Sequence, residues 1–299
     1  MNLKKLLNYV LISIYGLISI TFASISTNEL LSKYRRTNFY KNRDIITQDY
    51  YIVSLHNHTT FSDGEINPKE FVVNAIYNDY SIIAITDHNT DDAFFDTLSL
   101  DGLLEVERIG SYCLKFTDKN DIDNDNKKDI VYLLRGEEFT TKEGYHVLGI
   151  GFKKDIENNL SLEDTIKELE EQKALIVFPH PLIKIMHGVG LENILRYKDR
   201  IDAIEINGAI PLPFNAYYNR KIEEISKKYH IPAISNPDAH FYKDYFYTYF
   251  FLIPRKKFED EKIVEYLKDV IKSNKHINFK FSSNSFRKVI KAIRWFIKK

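Results

Sequence analysis

Short apolar runs alternate with segments of helical period from residue 51 onward, and this alternation is the strongest constraint on the fold. The apolar runs predict strands, and the segments between several of them, one of which opens with the capping pair Ser161 and Asp164, predict helices. The predicted strands are 51–55, 82–86, 130–134, 146–152, 175–178, 203–207, 232–235 and 248–252, and the predicted helices lie near 68–79, 161–172, 215–229 and 259–272. Continuous apolar strands separated by helices favour an α/β fold with a parallel sheet covered on both faces. So many units in this chain length favour a closed or nearly closed barrel.

Histidines and carboxylates follow the predicted strands at or just beyond their ends. They are His56, His58, His88, Glu138, His180, Asp238 and His240, while Glu205 lies within its strand. Because the carboxyl ends of parallel barrel strands converge on one mouth, we expect these side chains to meet there. Cys113 is the only cysteine, so a metal would be held by nitrogen and oxygen, which suits zinc, manganese, iron or magnesium. The pattern predicts a multinuclear hydrolytic metal site.

The motifs SLHNHTTFSDG, AITDHNT, RGEEFT, HVLGIGF, FPHP and NPDAH, spread in this order over residues 51–251, resemble the PHP (polymerase and histidinol phosphatase) superfamily. The resemblance implies a distorted (β/α)7 barrel that holds two or three metal ions. It implies nine metal ligands, which are His56, His58, Asp63, His88, Glu138, His146, His180, Asp238 and His240. Among them, Glu138 is chosen over Glu137 because the family motif is G-x-E, and His146 is the ninth ligand. Asp63, His88 and Asp238 are the implied catalytic residues, and Asp87 is expected to orient a ligand histidine from behind.

This resemblance implies a metal-dependent phosphoesterase. Two or three divalent ions, expected to be zinc, manganese or iron, would lower the pKa of a bound water from about 15.7 towards neutral. The alternative is a catalytically weak metal-binding or membrane-tethered scaffold module of the same fold. The expected partner of such a metal cluster is a small phosphorylated substrate. No nucleic acid is expected, because the 42 basic and 42 acidic residues are balanced and no basic stripe with interleaved aromatic residues lies near the motifs.

The two ends of the chain suggest export and a membrane contact. Lys4 and Lys5 precede an uncharged, mostly apolar run, so residues 1–23 are expected to be a signal peptide or membrane anchor that places the protein in the periplasm or outside the cell. A lead-in segment (24–50) and the PHP-type hydrolase domain (51–285) would follow. Residues 286–299 form a basic amphipathic pattern, interpreted either as a helix on an anionic bilayer or as a helix packed on the barrel.

Three further features leave alternatives open. Asp121, Asp123, Asp125 and Asp129 have the alternate spacing of a calcium loop, or they belong to a solvated acidic surface loop. Arg135 could contact a phosphate or be a paired structural arginine. His187, in a loop expected near the mouth, could contact substrate or be an ordinary surface residue.

Overall fold

A computed structural model describes residues 43–119, 129–209, 214–242, 245–246 and 248–280. These residues form a curled sheet with helices around it. The strands are β1 (Tyr50–Ser54), β2 (Tyr80–Ile85), β3 (Glu105–Ile109), β4 (Cys113–Thr117), β5 (Ile130–Thr140), β6 (His146–Ile150), β7 (Leu175–Phe178), β8 (Ala203–Asn207), β9 (Ala233–Asn236), β10 (Tyr249–Pro254) and β11 (Ile277–Lys280). The helices are α1 (Arg43–Asp49), α2 (Pro68–Tyr77), α3 (Asp92–Asp96), α4 (Leu162–Glu171), α5 (Gly190–Tyr197), α6 (Phe214–Tyr229) and α7 (Ile263–Lys272).

The strand order β11-β10-β1-β2-β5-β6-β7-β8-β9 wraps the sheet into a nearly closed barrel. The pairs β1–β2, β2–β5, β7–β8 and β8–β9 are parallel, as the sequence predicts. The predicted α/β class and the distorted, nearly closed barrel are confirmed. The expectation of a parallel sheet is corrected, because β6 runs antiparallel to both β5 and β7, and β10 runs antiparallel to both β1 and β11.

Strand β5 is longer than predicted because it has a different partner along each half. Residues 130–134 pair with β4, and residues 136–140 pair with β6. Glu138 therefore lies inside a strand and not after one. The β3–β4 hairpin was not predicted, because β3 is a largely exposed strand with the sequence EVERI and has no apolar run.

The barrel closes where β9 approaches β1 and β11. Asn57 and Ala239, just beyond β1 and β9, form a parallel bridge, and His58 N donates to Ala239 O at 3.0 Å. The Asn278 side chain accepts from Ser235 N at 2.8 Å and donates to Ala233 O at 2.7 Å. This asparagine thus joins β11 to β9 as a backbone ladder would.

Apolar residues fill both the interior of the barrel and the layer between the sheet and the helices. Val53, Ala84, Leu134, Val177 and Ile234 belong to one buried cluster that joins the strands across the barrel. A second cluster places Leu169 of α4 and Ile194 of α5 against the outer side of β7 and β8. Helix α4 begins at the predicted cap, where Ser161 Oγ accepts from Asp164 N at 3.1 Å.

Several sequence-based predictions lie outside the described residues. They concern the signal or anchor segment 1–23, residues 24–42 of the lead-in, the C-terminal segment 286–299, and Asp121, Asp123 and Asp125 of the calcium loop. Asp129 is described next to β5, where its carbonyl accepts from Asp118 N at 2.9 Å. Within the described part of the chain, no helix combines the length and the apolar character needed to cross a membrane.

Candidate metal centre

All nine predicted ligands come together at the mouth of the barrel. Their nitrogen and oxygen atoms fall into four overlapping groups, and within each group the ligand atoms lie within 4.8 Å of one another. The groups are His58/Asp63/His88/His240, His56/His58/Glu138, His56/His180/Asp238 and His88/Glu138/His146. Because the groups share residues, these side chains could hold more than one metal ion.

Glu138 is the centre of this cluster. Its Oε2 lies 3.3 Å from His56 Nε2, 3.2 Å from His58 Nε2 and 3.2 Å from His88 Nδ1. Its Oε1 lies 2.9 Å from His146 Nδ1 and 3.0 Å from His180 Nε2. Each carboxylate oxygen faces a different set of imidazoles, so Glu138 could act as a ligand together with either set.

A second part of the cluster lies nearer to solvent. His240 Nδ1 lies 3.1 Å from Asp238 O, and because a carbonyl only accepts, this nitrogen carries the proton. His240 Nε2 is then directed at Asp63 Oδ1, 3.2 Å away. The side chains of Asp63, His88 and His240 are 17%, 27% and 20% exposed. The side chains of His56 and His58 are fully buried. The solvent-facing edge is therefore the place where a substrate can enter.

Local backbone geometry sets the direction of several ligands. The antiparallel course of β6 places its first residue, His146, at the same mouth as the ends of the parallel strands. His180 and Asp238 adopt positive φ angles of 31° and 47°, a conformation that is strained by about 1–3 kcal/mol in non-glycine residues. Gly64 packs so closely that a Cβ would lie 2.1 Å from His58 O, which explains the glycine of the SDG motif.

Burial and the attraction between imidazoles and carboxylates shift the pKa values of the cluster residues in opposite directions. Burial opposes charge on Glu138, but the imidazoles of His146, His56 and His88 hold its pKa well below its usual value. Burial likewise opposes charge on His58, yet its hydrogen bonds to Asp238 and Glu138 raise its pKa to about 10. By contrast, burial lowers the pKa of His88 to about 3. In the absence of metal, the interior of the cluster is therefore a set of ion pairs.

The donor set fits divalent metal ions. Within the described residues, both carboxylate oxygens of Asp63 and the Nδ1 atom of His180 are buried without a hydrogen bond of acceptable geometry. Burying such atoms without a partner costs desolvation free energy, and a bound metal ion would supply the missing partner. The donors of the cluster are imidazole nitrogens and carboxylate oxygens, with no thiolate, which suits zinc, manganese or iron.

Asp87 supports the cluster through a loop and not through direct contact with a histidine. Its carboxylate accepts from Thr59 N at 2.7 Å and from the hydroxyl of Ser62. The Ser62 hydroxyl in turn lies 3.5 Å from His58 Nδ1. The contacts thus link Asp87 to His58 through Ser62 and the turn that follows β1, and its role in orienting a histidine stays a prediction.

Glu205 is a functional residue to which the sequence analysis gave no role. The strand β8 is fully buried, yet its sequence AIEIN carries polar residues at alternate positions, which point to one face. Glu205 Oε1 accepts from His56 Nδ1 at 2.8 Å. Because that contact places the proton on Nδ1, His56 presents Nε2 to the cluster. A polar alternation within a buried strand is the signal that could have identified it.

Arg135 and His187 take different positions relative to the site. Arg135 is buried, forms ion pairs with Asp91 and Asp155, and stacks 4.6 Å from the ring of Phe152. It is therefore the paired structural arginine. His187 is exposed at the mouth, and its ring stacks on that of His146 with centroids 4.6 Å apart.

A distorted α/β barrel whose mouth gathers nine histidines and carboxylates defines a metal-dependent hydrolase. The sequence profile of the PHP domain matches residues 54–286, most of the chain. The protein belongs to the PHP domain family.

Comparisons with individual proteins agree with this assignment. An uncharacterized protein of Methanocaldococcus jannaschii is 27% identical over 195 residues, which cover 58% of this chain and 93% of that protein. A two-domain protein of Bacteroides vulgatus, which contains a predicted PHP-like metal-dependent phosphoesterase, has a similar fold with a TM-score of 0.55 and 15% identity, over 78% of this chain. The chain spans 65% of that two-domain protein. PsfC of Pseudomonas syringae gives a TM-score of 0.56 at 13% identity, covering 83% of this chain and 98% of PsfC.

The lesion-specific endonuclease of Pyrococcus furiosus corrects one expectation. It shares the fold with a TM-score of 0.51 and 18% identity, over 75% of this chain and 56% of the endonuclease. A further structure with a TM-score of 0.51, Endonuclease Q, holds a 27-mer duplex with an abasic lesion at its active site. The prediction that no nucleic acid is expected as a partner is therefore wrong, since a protein of similar fold holds duplex DNA at its active site. Neither balanced charge nor the lack of a basic stripe in the sequence excludes such a substrate.

Proposed function

We propose that this protein hydrolyses phosphate esters at the barrel mouth, with two or three divalent ions held by the nine clustered residues. The observation that carries the proposal is the position of Glu138, whose two oxygens face five imidazoles at 2.9–3.3 Å. Zinc, manganese and iron are the proposed ions, because the donors are imidazole nitrogens and carboxylate oxygens. Such ions, when bound, supply a water of lowered pKa and positive charge that screens the phosphoryl oxygens.

The residues themselves prepare the site in two ways. Glu205 fixes the orientation of His56, and the Asp238 carbonyl fixes that of His240, so both imidazoles present a chosen nitrogen. The surrounding imidazoles keep the pKa values of Glu138 and Asp238 well below their usual range despite burial, so both stay anionic near neutral pH. A substrate phosphate would approach the exposed edge at Asp63, His88 and His240. Asp63, His88 and Asp238 remain the proposed catalytic residues.

Hydrolysis of a broad substrate panel by metal-depleted and metal-reloaded protein tests this proposal. The panel contains phosphomonoesters, phosphodiesters, nucleotides, and duplex DNA with and without an abasic site. The His56→Ala and Asp238→Ala variants run beside the unchanged protein. His230→Asn is the matched control, because His230 is exposed and lies outside the four ligand groups.

We expect turnover that requires manganese or zinc and falls more than about 100-fold in both ligand variants, since even residues behind a ligand change activity by about 10–100-fold. His230→Asn should retain full turnover. Metal binding without turnover of any ester would overturn the phosphoesterase proposal.

We also propose that the chain is exported. The support is the sequence of residues 1–23, in which Lys4 and Lys5 precede an apolar run that ends in Thr21-Phe22-Ala23. Cell fractionation followed by N-terminal sequencing tests it. A chain recovered in the cell lysate with residues 1–23 intact and no membrane association would contradict export.

A further inference from the structure

Two buried residues of β8, Glu205 and Asn207, connect three ligands that together make up one of the four groups. Glu205 accepts three hydrogen bonds, from His56 Nδ1 at 2.8 Å, from His180 N at 2.9 Å and from Asn207 Nδ2 at 2.8 Å. It therefore orients the side chain of one ligand and the backbone of another. Glu205 and Asn207 are both fully buried, so water does not compete for these contacts.

The orientation of the Asn207 amide is fixed by its partners. Its Nδ2 donates to Glu205 Oε2 and also to Asp238 Oδ2, 2.9 Å away. Its Oδ1 accepts from Ala209 N at 2.8 Å. Because carboxylates only accept and a backbone amide only donates, the reversed amide would lose all three bonds.

The three ligands that these contacts reach, namely His56, His180 and Asp238, are one complete group in the cluster. The outer group, His58/Asp63/His88/His240, is supported instead through Ser62 and Asp87. The His56/His180/Asp238 group and the outer group are thus supported by different residues.

We infer that Glu205 and Asn207 are positioning residues for a single metal subsite, the one formed by His56, His180 and Asp238. The neutral amide of Asn207 holds two carboxylates, Glu205 and Asp238, side by side without adding a charge. Loss of that amide should loosen Asp238 and weaken this subsite selectively. The inference rests on the metal centre of the proposed function and does not depend on which ester is hydrolysed.

The contacts of residue 207 with Asn215 and Asn219 do not depend on the Asn207 side chain. Asn207 N donates to Asn219 Oδ1 at 3.1 Å, and Asn207 O accepts from Asn215 and Asn219 at 3.1 and 2.9 Å. These contacts use the backbone of residue 207. A change of its side chain therefore acts mainly on Glu205, Asp238 and Ala209.

Titration of metal-depleted full-length protein with manganese or zinc alone, with metal counted by mass spectrometry, tests the inference. Asn207→Ala removes both donors. Asn207→Asp keeps the shape and the acceptor for Ala209 N but removes both N–H donors. Asn215→Ala is the control, since Asn215 bonds to the carbonyl of residue 207 and to Tyr249 but to neither carboxylate.

We expect one ion per chain to bind about 10–100-fold more weakly in Asn207→Ala and Asn207→Asp, with the remaining ions unchanged. Asn215→Ala should lower thermal stability and keep the full metal count. If Asn207→Asp binds every ion as the unchanged protein does, or if Asn215→Ala loses the same ion, the inference is overturned. Failure of the unchanged protein to bind metal would overturn both the inference and the proposed function. Metal binding as expected without ester hydrolysis would overturn only the latter.

Discussion

Oε2 of Glu138 lies 3.2 Å from Nε2 of His58, and both side chains are buried. This contact and the hydrogen bond to Asp238 raise the pKa of His58 to about 10 against the effect of burial. The metal-free protein therefore holds a proton on His58 at neutral pH, and a metal ion must displace it. In the metal-free state this raised pKa contributes stability that is complete below the usual pKa of 6.5 and is lost as the pH rises through about 10.

Metal binding should therefore release protons near neutral pH. We expect the apparent manganese affinity to rise with pH between about 6 and 8, by about tenfold per pH unit for each proton released. Calorimetry in buffers of different ionisation enthalpy measures the number of protons. His58→Gln should release fewer protons per ion, and a binding enthalpy that is the same in all buffers would contradict the prediction.

Glu137, the neighbour of Glu138, should make the free energy of unfolding depend on pH. Burial, reinforced by Asp91, raises the pKa of Glu137 to about 8 from 4.5. The folded protein thus keeps a proton that the unfolded chain releases, so the free energy of unfolding should fall as the pH rises from about 4.5 to 8 and then level off. Between these pH values the free energy of unfolding of the unchanged protein should fall by roughly 3–5 kcal/mol because of Glu137. In Glu137→Gln this contribution to the pH dependence should be absent.

Urea unfolding of metal-depleted protein at several pH values measures the effect. Glu168→Gln, an exposed position on α4, is the matched control and should leave the pH profile unchanged. Equal profiles for the Glu137→Gln variant and the unchanged protein would rule out a buried neutral acid.

Gly64→Ala should damage the metal centre through the backbone. The new Cβ would lie 2.1 Å from His58 O and 2.7 Å from Thr59 N, so the turn that carries His58 must move. We expect a stability loss of roughly 1–3 kcal/mol and lowered metal occupancy. Gly149→Ala is the control, because the atoms nearest to its Cβ would be in the Leu169 and Phe139 side chains, at 2.4 and 2.8 Å, and not in the backbone. That variant should lose stability but bind the full number of ions.

Asn278 should stabilise the closure of the barrel. Asn278→Ala leaves Ser235 N without its acceptor, at an expected loss of about 1–3 kcal/mol in the free energy of unfolding. The Ala233 carbonyl keeps a partner, because His276 Nε2 lies 2.8 Å from it. Asn278→Asp retains the acceptor for Ser235 N and should lose less. If chemical denaturation shows the two variants to be equally stable, the contact with Ser235 does not contribute as the geometry indicates.

The sequence was sufficient to predict the features that short stretches of chain determine, namely apolar strands and the motifs that follow them. The apolar runs located the strands around the mouth, and the order of HNH, TDH, GEE, FPH and DAH located the residues that the structure gathers there. Glu138, which the G-x-E spacing selects, lies 3.2 Å from His58 in the cluster, whereas Glu137 belongs to none of the four ligand groups.

Features that depend on distant contacts could not be predicted in this way. An apolar run does not encode the direction of its strand, so the antiparallel course of β6 was missed. The charged strand β3 is held by its pairing with β4 and not by an apolar pattern. The part that Asn207 plays depends on the approach of Glu205 and Asp238, 2 and 31 residues away along the chain. The positive φ angles of His180 and Asp238 likewise follow from the surrounding fold.

The closure between β9 and β1 bears on how bound ions would stabilise the fold. Asp238 and His240 follow β9 directly, while His56 and His58 follow β1, and the two segments meet at the bridge between Asn57 and Ala239. Ions shared by these residues would tie one end of the wrapped sheet to the other. Loss of such an ion would remove this link, and the barrel should then open more readily along this line. The bound metal would thus stabilise the whole fold and not only its mouth.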